Sequence, residues 1–217
     1  MTNKKILLTS LILNCLIFII TIIGTTVMFL TKSGALFVKG MANFKFFTVE
    51  SNVFMGIVAI IVAIYQYLLL KGKIDKLPFI LEVINLVGVS AVALTFFTVM
   101  AFLGPTYGYD KMFHNANLFF HLIVPLVALI NFLFFEKIAH IKFVHTLYCL
   151  IPPFSYGVVY FIYVAANNGY GNFDIDFYGF GRGGPLFGLM SLCLTLVASY
   201  IITIGLYFLN KLIRSRY

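Results

Sequence analysis

Residues 44–66 read FKFFTVESNVFMGIVAIIVAIYQ, an apolar run that opens with Thr48, Glu50, Ser51 and Asn52. A second apolar run, NANLFFHLIVPLVALINFLFFE, carries Asn117 and His121 near its start, with His114 just before it. A hydroxyl is a weak nucleophile until a neighbouring base takes its proton, and imidazole is the usual base near neutral pH. Thr48 facing His121 would therefore be a nucleophile–base pair. Asn117, four residues before His121, or a loop group would fix the ring's tautomer.

Helical spacing sorts the first group. Residues three and four apart share a face, so Thr48, Ser51 and Asn52 are expected to stand together. Glu50 lies about 200° around from Thr48 and points elsewhere. It has two candidate partners, Lys45 and Arg182. Ser, Thr and Asn in apolar helices also serve as packing hydrogen-bonders between helices. His121 is the sharper signal, because ionisable groups inside a membrane are costly and usually functional.

The elements that must position these groups follow from composition. The chain is 62% hydrophobic and 10% charged, with 25 Phe and no Trp. A soluble domain carries about 25% charged residues, so this chain needs lipid as its solvent. Six apolar runs are long enough to span, at 6–30, 46–70, 78–103, 116–135, 143–165 and 184–210. The fold class is therefore all-α, a polytopic membrane protein of six transmembrane helices in a single domain (residues 1–217). The first run follows Lys4 and Lys5 as in a signal peptide. It exceeds the ~7–15 residues of a signal core and reads as a retained span. No internal repeat is evident.

Charge orients the spans. Lys4, Lys5, Lys71, Lys73, Lys76, Lys137, Lys142, Lys211, Arg214 and Arg216 fall on one side, against Lys32, Lys39, Lys45, Lys111 and Arg182 on the other. Basic residues favour the cytoplasm, so both termini are expected there, with the chain in the cell membrane. Spans two and four then both enter from outside. Thr48 to Asn52 lie roughly 3–9 Å down one and His121 ~8 Å down the other, at a shared depth. Glu82, Asn85 and Asn131 lie near the opposite ends of their spans, where interhelical hydrogen bonding or snorkelling accounts for them.

Several classes are excluded. The net charge of +8 sits in short clusters between apolar runs, which argues against nucleic acid. Cys15, Cys149 and Cys193 all lie in apolar runs and imply neither disulfides nor a zinc knuckle. There is no H-x-x-x-H, H-E-x-x-H or G-x-S-x-G motif, so no metal, serine elbow or cofactor is expected. The glycine-rich loop 167–184 carries Asp174, Asp176 and Arg182, candidates for orienting His121 or closing a lid.

Three segments together resemble a known family. FFTVESN at the head of span two, HLIVP in span four and NFDIDFYGFGRGGPLFG before span six are similar to small six-span membrane proteins of bacteria. That family also includes the eukaryotic androgen-induced and androgen-dependent membrane hydrolases. The resemblance covers residues 10–210. It implies a threonine hydrolase acting on fatty acid esters of hydroxy fatty acids, with Thr48 as nucleophile and His121 as base. Ser51, Asn52 and the loop are then candidates for supporting or binding roles, and the partner is a membrane lipid or acyl ester. The alternatives are a small membrane transporter and a non-catalytic lipid-binding protein. The transporter is disfavoured by the lack of an acidic residue at the bilayer centre and of duplicated broken helices.

Overall fold

A computed structural model describes residues 4–32 and 38–214; Arg216, counted in the charge balance, lies outside them. Six helices are long and apolar enough to cross a membrane. They are α1 (Lys4–Leu30), α2 (Phe47–Leu70), α3 (Phe79–Tyr107), α4 (Ala116–Phe134), α5 (Phe143–Ala166) and α6 (Pro185–Arg214). No strand interrupts them among the described residues. Helices are what lipid demands of a spanning chain, since each satisfies its own backbone.

α3 is the most buried helix and packs against α2, α4 and α6. Its core partners include Met55, Ala59, Val124 and Phe132. Helices approach closely where side chains vanish. A Cβ on Gly56 would sit 2.7 Å from Thr21, and one on Gly24 would sit 2.8 Å from Phe119. These two positions let α1 lie along α2 and α4.

α5 is the exception. Its first eight residues, Phe143–Leu150, form a tighter 3₁₀ helix ahead of Pro152 and Pro153, packed on α3 and α6. The remainder leans on α6 and barely meets α2 and α3. A gap opens there.

The opposite end of the bundle is closed by Glu136, the first residue beyond α4 but one. Its Oε1 accepts hydrogen bonds from Asn14 Nδ2 (2.8 Å) and Asn131 Nδ2 (3.0 Å), and its Oε2 accepts one from Asn85 Nδ2. Gln66 Oε1 accepts from Asn14, and Gln66 Nε2 donates to Ser10. Asn210 Nδ2 donates to the carbonyls of Phe132 and Glu136. One carboxylate and its neighbours thus tie together α1, α2, α3, α4 and α6. Beside it, Glu82 accepts from the backbone and ring of His140.

Burial pushes the Glu136 carboxyl above the ordinary value of 4.5, while the bonds from Asn14, Asn85 and Asn131 act the other way. The folded state therefore holds this proton more tightly than the unfolded chain does. Its stabilising contribution is complete below pH 4.5 and is lost as the pH rises through the folded value. Removing the acceptor with Glu136→Ala strands buried amide donors and should cost about 3 kcal/mol or more. Thermal unfolding in detergent should show that loss. It should also show wild-type stability rising on acidification, with this component absent from Glu136→Gln.

Candidate functional site

The local shape of α4 starts with Pro125. Residues Phe119–Ile123 form a π turn, in which the Val124 N–H bonds to the Phe119 carbonyl. In an α-helix that N–H would have served Phe120. The next donor in line is residue 125, and proline has none. The Phe120 carbonyl is thus left without a helical partner in a buried position. Asn52 Nδ2, from α2, takes it at 2.9 Å.

The same device recurs in α3. Val99–Leu103 is a π turn, the Gly104 N–H bonds to Val99, and Pro105 follows. The orphaned Met100 carbonyl accepts from the Tyr109 hydroxyl at 2.9 Å. VMAFLGP and FFHLIVP are therefore two instances of one arrangement. His121 stands at the centre of the second, and such π turns often mark functional sites.

His121 is 9% exposed. Its Nδ1 lies 2.7 Å from the Met112 carbonyl. A carbonyl only accepts, so Nδ1 carries the hydrogen, and in the neutral ring Nε2 is left as the basic nitrogen. The tautomer is thus held by a loop group. Asn117, the alternative from spacing, makes no side-chain hydrogen bond to the ring, and His114 is exposed.

Thr48 is half-buried, and its carbonyl accepts from Asn52 Nδ2 (2.7 Å) and Ser51 Oγ (3.1 Å). A single amide nitrogen therefore joins the backbone of Thr48 to that of Phe120, next to His121. The Thr48 hydroxyl itself has no protein hydrogen-bond partner.

The expected common face divides. Asn52 turns to α4, whereas Ser51 lines a cavity of about 620 Å³ on the other side of α2. Glu50 faces this cavity too, with Phe47 and Phe54 one turn to either side. Its far wall is α5, through Pro152, Tyr156, Val159 and Tyr163, and Ala91 of α3 lies at its base. Neither Thr48 nor His121 lines it. Glu50 forms no ion pair with Lys45 or Arg182.

The 167–184 loop closes one end of the cavity. Asp176 is 1% exposed and accepts from the Tyr160 hydroxyl (2.7 Å) and the Gly181 N–H (2.8 Å), so its carboxylate holds the loop and does not orient His121. Asp174 is exposed, and Arg182 packs over the Phe173 ring. Phe46, just before α2, offers no capping side chain. The Tyr178 hydroxyl supplies the missing acceptor, taking the Phe47 N–H at 3.0 Å. Burial pushes the Tyr178 phenol up to about 12, so this latch stays neutral across the physiological range. No three His, Cys, Asp or Glu side chains gather as a metal site among the described residues.

Spacing within one span could not reveal the Met112 carbonyl, the Tyr178 latch or the cavity. A readable signal did exist at Phe120, since a proline five residues on leaves that carbonyl no π-register donor.

The Asn52 bond makes a specific expectation. Asn52→Ala should destabilise by about 1–3 kcal/mol, because it strands a buried carbonyl. In a Pro125→Ala background, where residue 125 regains an N–H, the same change should cost measurably less. Unfolding of the four proteins of that double-mutant cycle checks this coupling.

No protein-family model, no curated protein and no solved structure matches this chain.

Proposed function

We propose that this membrane protein binds the acyl chain of a lipid in the groove between α2 and α5. The carrying observation is the cavity itself: about 620 Å³ between two helices that barely touch, lined mostly by aromatic and aliphatic side chains, with Lys45 and Glu50 among them. That volume lies within the range of pockets that hold a single ligand-sized group. Phe54, Val159 and Tyr163, all substantially exposed, border it on the bilayer side. Lys45, Glu50 and Tyr156 give its other end the character of an interface.

The two-to-one excess of Lys and Arg on the side of the termini supports the cell membrane with both ends in the cytoplasm. The groove then opens in the outer half of the bilayer. A reporter fused to the C-terminus should be active only as a cytoplasmic reporter.

Binding is tested with the fluorescent fatty acid cis-parinaric acid and the purified protein in detergent. Saturable fluorescence is expected in the wild type and strong weakening in Ala91→Leu, which crowds the base of the groove. No saturable signal, or full binding by a folded Ala91→Leu protein, would count against the groove.

A second reading, lipid-ester hydrolysis, is favoured by one observation: the Met112 carbonyl leaves His121 with a basic Nε2. In this reading Nε2 takes the Thr48 proton as Oγ1 attacks an ester carbonyl. The leaving alkoxide then receives that proton, and water releases the acyl group from Thr48. Fatty acid esters of hydroxy fatty acids are the first substrates to try. A fluorophosphonate probe should label the wild type and neither Thr48→Ala nor His121→Ala, alongside ester turnover. A folded wild type that neither labels nor turns over ester leaves lipid binding alone.

A further inference from the structure

Most polar groups around the mouth of the α2–α5 groove are already committed. The Tyr156 hydroxyl donates to the Lys45 carbonyl at 2.6 Å. The Tyr160 hydroxyl donates to Asp176, and Ser155 bonds back to the Ile151 carbonyl. Two full charges are not. Lys45 and Glu50 both line the cavity, have opposite signs and sit five residues apart, yet neither forms an ion pair with any described residue.

The reason they remain apart is visible. The Lys45 ammonium is drawn over aromatic faces, 4.9 Å from the Phe177 ring centroid and 5.4 Å from that of Phe46. Those rings pack edge to face with each other, and the 167–184 loop carries Phe177. A cation held this way is stabilised by the rings without losing its charge or its remaining donors. Glu50 meanwhile stays on α2, facing the groove with its carboxylate unbonded. The groove therefore presents an anchored cation and an unpaired acceptor anion, both among its lining residues.

Resting on the acyl-chain reading above, we infer that the groove selects a zwitterionic phospholipid with a primary amine: its phosphate meets Lys45 and its ammonium meets Glu50. A purely anionic headgroup would satisfy Lys45 but face Glu50. An uncharged headgroup would leave both charges unmatched. A quaternary ammonium matches the charge but has no N–H to donate to the carboxylate, whereas a primary ammonium has three.

The test compares ethanolamine, choline and glycerol phospholipids of identical acyl chains, competed against cis-parinaric acid on the purified protein. The wild type should prefer the ethanolamine lipid by about fivefold, the scale of one half-exposed ion pair. Glu50→Gln should abolish the preference for ethanolamine over choline. Lys45→Gln should weaken all three phospholipids, because each presents a phosphate to that position. Both positions lie at the groove mouth outside the packed core, and a cooperative thermal unfolding transition in detergent reports that each variant is folded. Equal competition by the three lipids in the wild type, or a preference unchanged in Glu50→Gln, overturns the headgroup assignment and leaves acyl-chain binding standing. Failure of parinaric acid and all three lipids to bind overturns both.

Discussion

A carbonyl that loses its helical donor inside a bilayer must find another, because no water arrives to serve it. Phe120 finds Asn52, and much of the candidate site follows from that one bond. It brings the head of α2 against the π turn of α4, so Thr48 and His121 belong to adjoining backbone. It also turns Asn52 away from the groove, leaving Glu50 and Ser51 to form the groove wall. Pro125 is the cause of this arrangement, although its own side chain performs no chemistry.

The two ends of the bundle answer the same constraint differently. At the Glu136 end, amides from three helices converge on one carboxylate, and the oxygens of Asn14, Asn85 and Asn131 are left unpartnered. A turn of one of these amides would let its oxygen accept the proton when Glu136 takes one. At the Thr48 end, hydrogen bonds run between loop and helix through Tyr178, Tyr160 and Asp176. They brace the rim of a gap and do not fill it. Five helices are tied at one end, and the sixth is free to stand off at the other.

The six spans were legible because apolar run length alone specifies them, and the observed ends lie within a few residues of expectation. His121 was legible as an ionisable residue in an apolar run, and Asn85 as a bonder between helices, whereas Asn131 bonds Glu136 at the end of its own helix. Glu136 was not, because it follows directly on an apolar run and reads as an interfacial residue. Two of its partners, Asn14 and Asn85, are far away in sequence and meet it only in the fold. The split between Ser51 and Asn52 was also hidden: i, i+3, i+4 spacing defines a face too broad to say which neighbour each residue meets. The groove depends on how far α5 leans from α2, a property of packing with no residue code of its own.

The stance of α5 has a further consequence. In the lipid-binding reading, a cavity bordered by the exposed Phe54, Val159 and Tyr163 would open sideways into the leaflet. An amphiphile would enter it by lateral diffusion, without leaving its neighbours for water. Occupancy of such a groove is governed by the mole fraction of a species in its leaflet, and total lipid concentration in solution drops out. A protein of this shape would read the local composition of a membrane in two dimensions.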